Sequence, residues 1–89
     1  MKEIEVVINN RLGLHARAAA RFVHVANQFD SNIAVIKEGS KVDGKSILGL
    51  LTLAAKKGTR LRLTADGADG EKALAKLSEL VRSSFGEGE

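Results

Sequence analysis

The chain of 89 residues contains no cysteine, tryptophan or tyrosine and only three phenylalanines. The missing cysteines exclude disulfides, thiolate metal sites and cysteine nucleophiles, and give no sign of an oxidising compartment. Stability must therefore come from packing. No apolar run approaches the roughly 20 residues of a membrane span, and the stretch Ile4–Ile8, interrupted by Glu5, is too short for a signal-peptide core. Membrane insertion is not expected, and the chain reads as cytoplasmic. Three phenylalanines offer little for base stacking, and the cations are interspersed with acids, so nucleic acid is not an expected partner.

What is present fits one globular domain spanning 1–89, with 44% hydrophobic and 28% charged residues. A domain this small buries only roughly 60 to 70% of its unfolded surface. A pocket of about 300 Å³ or more would remove much of such a core. Chemistry is therefore expected on the surface, with partners completing the site. The net charge of +3 is unevenly spread: residues 1–62 carry 11 Lys/Arg against 5 Asp/Glu, whereas residues 63–89 carry 3 against 6. Part of the surface should be basic and able to steer an acidic partner.

Ile4, Val6 and Ile8 alternate with Glu3 and Glu5 as in a half-buried strand. After the breakers Asn9, Asn10 and Gly13, the residues Ala19, Phe22, Val23, Ala26 and Phe29 recur at helical spacing. Arg17, Arg21, His24 and Gln28 form the opposite stripe, so a helix is predicted to start near His15. Ile33–Lys37 and Lys41–Asp43 read as a hairpin, followed by a short helix that starts after Ser46 and is weakened by Gly49. Leu61, Leu63 and Ala65 mark a further strand. A last helix, with Asp69 as its expected cap, has a core face of Ala73, Leu74, Leu77, Leu80, Val81 and Ser84. Residues 83–89 read as a frayed polar tail with Phe85 packing back. The order βαββαβα suggests a two-layer α/β sandwich (α+β), with three helices on one face of a four-stranded sheet.

Gly13-Leu14-His15-Ala16-Arg17 places an imidazole at a helix start, where backbone N–H groups lack intrahelical partners and the dipole favours an anion. The same positive end disfavours the imidazolium, so His15 is expected to be largely neutral and nucleophilic near neutral pH. Arg17 can offer a planar fork of donors to phosphate oxygens, and Arg21 extends the basic stripe. From spacing alone, a helix cap flanked by solvated arginines is the more ordinary reading. His24, in mid-helix, is expected to contact partners and not to accept a group. No Asp or Glu lies close to His15 in sequence, so no local triad or metal site is expected.

Gly39-Ser40-Lys41-Val42-Asp43-Gly44-Lys45-Ser46 satisfies G-x-x-x-x-G-K-S literally. Only 43 residues follow Ser46, too few for a parallel nucleotide-binding sheet, and Lys41-Val42-Asp43 alternates like a strand. Nucleotide binding is the least favoured reading. As a cap, Ser46 would stabilise its helix by about 1 kcal/mol. As a phosphorylation site it would add a charge of about −1.5 to −2 beside Ile47, Leu48 and Leu51.

Together, Gly13–Arg17 and Gly44-Lys45-Ser46-Ile47-Leu48-Gly49-Leu50-Leu51 resemble the HPr family, the histidine-containing phosphocarriers of the phosphoenolpyruvate-dependent phosphotransferase system. The resemblance spans nearly the whole chain. It implies an antiparallel sheet and a phosphocarrier that is not itself an enzyme and needs no cofactor. His15 Nδ1 would accept a phosphoryl group from phosphorylated enzyme I, with Arg17 steadying it, and donate it to an IIA-type protein. It further implies regulation at Ser46 by an HPr kinase/phosphorylase, and a partner surface of Ala16, Ala20, Arg21, His24, Ile47, Leu48 and Leu51 on a monomer. Ala18 departs from the family's usual Pro just inside the helix. Proline is preorganised there, but alanine is an excellent helix former, so the site should survive. The segment Ile47–Leu53 and the tail Phe85-Gly86-Glu87-Gly88-Glu89 also resemble the nitrogen-related branch. A non-transferring regulatory module of the same fold is the alternative.

Overall fold

The computed structural model describes residues 1–87. Four strands, β1 (Lys2–Val7), β2 (Asn32–Lys37), β3 (Ser40–Asp43) and β4 (Arg60–Asp66), alternate with three helices, α1 (Ala16–Ala26), α2 (Ile47–Thr52) and α3 (Gly70–Arg82). The sheet order is β1-β4-β2-β3 and every pairing is antiparallel. This is the expected βαββαβα sandwich.

Register follows burial. Val6 stands opposite Leu61, Ile4 opposite Leu63, and on the other side of β4 Val35 faces Leu63 and Ile33 faces Ala65. These side chains share the helix-covered face, since residues two apart along a strand point the same way. On the open face Glu5 stands opposite Arg62, a cross-strand pair of opposite charge.

Helix α1 buries Ala18, Ala19, Phe22 and Ala26, while α3 buries Ala73, Leu74, Leu77 and Val81. Full burial of Phe22 alone contributes about 1.5 to 3 kcal/mol. Val23, Phe29 and Leu80 pack at the margin of this core. Ala18 was not on the expected core face, yet it is fully buried. It stands four residues before Phe22, so the apolar stripe is wider than the bulky residues alone suggested.

Two expectations are corrected. Asp69 makes no side-chain bond to the start of α3. Its Oδ2 instead accepts from the Asp30 N–H at 2.9 Å and its Oδ1 from the Ser31 N–H at 3.0 Å, with the Ser31 hydroxyl also donating to Oδ1. The turn between α1 and β2 offers a denser set of donors than the helix end. The second correction concerns the tail. Ser84–Gly86 form an ordered turn with positive φ at Ser84 (57°), Phe85 (55°) and Gly86 (76°), and Phe85 is 1% exposed. Burial of the phenyl ring holds a backbone conformation that a bulky residue rarely adopts. Gly88 and Glu89, part of the predicted tail, lie outside the described residues.

Candidate functional site

The site is built where β1 gives way to α1. Gly13 has φ +69°, and a Cβ there would sit 2.5 Å from the Ala55 carbonyl oxygen. Only glycine allows this approach, which lets the Leu14 N–H donate to Ala55 O at 2.8 Å. His15 follows with extended backbone (φ −79°, ψ 179°) as the N-cap of α1. Its Nδ1 accepts from the Arg17 N–H at 3.2 Å, so this nitrogen presents its lone pair at the helix N-terminus, where backbone donors face outward.

The other ring nitrogen meets a group the sequence did not suggest. Nε2 lies 2.5 Å from Oε2 of Glu87, 72 residues further along the chain. No Asp or Glu lies close to His15 in sequence, and this carboxylate reaches the ring only because the last turn folds back. Asn10, fully buried, donates through Nδ2 to both the Gly13 carbonyl (2.8 Å) and Glu87 Oε1 (3.0 Å). Burial alone pushes the Glu87 carboxyl up. The hydrogen bonds from His15 and Asn10, with the positive charge of Arg21 and of His15 when protonated, outweigh it and hold the carboxyl below its ordinary value.

Arg17 is exposed at the start of α1, free of the core and close in sequence to the His15 ring. Arg21 is partly committed elsewhere, its guanidinium donating to the Phe85 carbonyl and tying the last turn to α1. Arg17, Ala20, Arg21 and His24 line a shallow groove of about 330 Å³ with Val25 and Leu80. Ala16 is exposed beside them. Among the described residues no cluster of three or more His, Cys, Asp or Glu could hold a metal ion.

Ser46 is the N-cap of α2, its Oγ accepting from the Gly49 N–H at 2.9 Å. Next to it Ile47 and Leu48 are 40% and 78% exposed, while Leu51 is half-buried against the core. Helices α1 and α2 pack together, so these apolar side chains and the α1 cations belong to neighbouring elements. The P-loop look-alike is dismantled by geometry: residues 40–43 are strand β3, and the Lys45 ammonium donates to the Phe29 carbonyl at 2.7 Å. No helix among the described residues is long and apolar enough to cross a membrane.

Comparison with known proteins matches residues 2–83 to PTS-HPr, the PTS HPr component phosphorylation site. The chain is 50% identical over 88 residues to the phosphocarrier protein HPr of Neisseria meningitidis serogroup A, covering 99% of this chain and 97% of that one. It is also similar to the crystal structure of HPr-C-His from Thermoanaerobacter tengcongensis, with a TM-score of 0.94 and 46% identity over 98% of each chain. A dimer structure of HPr from the same organism matches with a TM-score of 0.78 and 46% identity, covering 98% of this chain and 100% of the other.

Proposed function

The chain belongs to the HPr family of phosphocarrier proteins, and from that premise we propose that His15 Nδ1 is the atom that carries the phosphoryl group. It is a phosphocarrier and not an enzyme: the group is taken from one protein and given to another. The observation that carries the assignment is the N-cap geometry, with the Nδ1 lone pair aimed at the Arg17 N–H in the first turn of α1.

In this reading the Nδ1 lone pair forms the N–P bond as the donor's bond to phosphorus breaks. The Arg17 N–H, released from Nδ1, turns to a phosphoryl oxygen beside the positive end of the helix dipole. The Arg17 guanidinium supplies a planar pair of donors to the remaining oxygens. Donation reverses these steps. The donor is phosphorylated enzyme I and the acceptor an IIA-type protein, both meeting the face formed by Ala16, Ala20, Arg21, His24, Ile47, Leu48 and Leu51. Ser46 regulates that face: phosphate there puts negative charge beside the exposed Ile47 and Leu48, which an acidic partner resists. An HPr kinase/phosphorylase is the expected modifier. We read residues 1–89 as one cytoplasmic domain that works as a monomer.

The test is incubation with phosphoenolpyruvate and active enzyme I, with intact mass recorded before and after mild acid. An acid-labile phosphoryl adduct absent from His15→Ala supports the assignment. An adduct that persists in the variant moves the site elsewhere.

A further inference from the structure

We propose that Glu87 is a positioning residue for phosphoryl transfer, holding His15 in the Nε2–H tautomer and offsetting the positive charge its ring gains on phosphorylation. The proposal rests on the assignment of His15 as acceptor. Three observations carry it.

First, the two ring nitrogens have opposite neighbours. The Arg17 N–H points at Nδ1, which must accept, whereas a carboxylate oxygen lies 2.5 Å from Nε2, which must donate. A neutral imidazole satisfies both only with its proton on Nε2. Second, the carboxylate is itself held. Glu87 Oε1 accepts from Asn10, whose buried amide also fixes the Gly13 carbonyl in front of His15, and the Glu87 side chain is only 15% exposed. Third, the turn that delivers Glu87 is anchored independently. Phe85 is buried, Arg21 donates to its carbonyl, the Ser84 hydroxyl donates to Asn9 Oδ1 at 3.1 Å, and Asn9 Nδ2 donates to the Arg82 carbonyl at 3.0 Å.

The electron count gives this contact its role. When the Nδ1 lone pair forms the bond to phosphorus, the ring becomes a cation that retains its Nε2 proton, and the proton does not leave. The Glu87 carboxylate faces that proton throughout. When the N–P bond breaks toward the acceptor, the electron pair returns to Nδ1 and the ring is neutral again, still with Nε2–H. No co-reactant is needed. Among the described residues, the charged neighbours of His15 along the chain are Arg11, Arg17 and Arg21, and Lys56 Cα lies behind Gly13, all of them cations. All of them oppose positive charge on the ring, so Glu87 acts against them.

The experiment compares the full-length protein with Glu87→Gln and Glu87→Asp. The His15 tautomer is read from ¹⁵N chemical shifts of the free protein, and kcat and KM are measured for phosphorylation by enzyme I. The parent should show Nε2–H as the dominant form. Glu87→Gln should populate the Nδ1–H form and lower kcat about ten- to hundredfold, by analogy with loss of the carboxylate that orients a metal-bound histidine, with KM for enzyme I little changed. Glu87→Asp should restore part of the rate. Parent-like tautomer and kcat in Glu87→Gln would overturn the proposal, as would a loss confined to KM. The tautomer measurement needs no phosphorylation, so it separates failure of the Glu87 contact from failure of the His15 assignment, which the His15→Ala adduct test decides.

Discussion

At the residue scale, the shape of the proposed site depends on how closely the backbone can approach itself before α1. Gly13 occupies a left-handed conformation with its α-carbon against the 55–56 segment, where a Cβ would lie 2.5 Å from Ala55 O and 2.9 Å from Lys56 Cα. Both contacts are with backbone, which cannot rotate away as a side-chain tip can. Gly13→Ala should therefore cost about 2 kcal/mol or more in urea unfolding, combining strain at positive φ with the clash. It should also slow phosphorylation, because the shift moves the Gly13 carbonyl that Asn10 holds. His15 was legible in the sequence for a local reason: a glycine, a histidine and an arginine at the start of an amphipathic run define one helix end. Glu87 was not. Its relation to His15 is made by a turn 72 residues away, and nothing in the spacing of either residue points to the other.

At the element scale, short segments are held by single side chains. Helix α2 has only six residues, one of them Gly49, so its start depends on the Ser46 hydroxyl. Ser46→Ala should lower stability by about 1 kcal/mol on thermal or urea unfolding while leaving the His15 adduct intact. The Asp69 clip to the Asp30–Ser31 turn gives a pH signature. Hydrogen bonds from the Ser31 side chain and the Asp30 backbone N–H, the largest contributions, hold its carboxyl below the ordinary value of 3.8. A carboxyl depressed in the folded state contributes stability above its unfolded pKa and loses it as pH falls through the lower folded value. Acid titration of unfolding should show that loss below about pH 4, and Asp69→Asn should flatten it. The elements themselves were readable because alternation and helical periodicity are local. Asp69 was misplaced because the competing donors come from the α1–β2 turn, 38 and 39 residues away in sequence. The buried Ala18 was missed because alanine carries little hydrophobic signal of its own.

At the scale of the whole molecule, stability and the proposed docking face draw on different apolar residues. The chain is compact, with a radius of gyration of 11.4 Å. A domain of this size has roughly 5 to 15 kcal/mol of stability in total. Phe85, 1% exposed, packs into the common core from the last turn, and its carbonyl is held by Arg21. Phe85→Ala should cost about 3 to 5 kcal/mol, a large share of that total. It should also loosen Glu87 over His15, so the tautomer signature should weaken even where the protein remains folded. Leu48 is its opposite: 78% exposed beside Ser46, it contributes little to the core. Leu48→Ala should change stability by no more than about 0.5 kcal/mol, yet raise KM for enzyme I, because the proposed docking face includes this exposed leucine. The two substitutions, followed by urea unfolding and by the kinetics of phosphorylation, should separate cleanly. Equal stability losses would mean that Leu48 is folded inward in solution. An unchanged KM in Leu48→Ala would move the docking face off α2 and leave the exposed stripe of α1 to bind the partner alone.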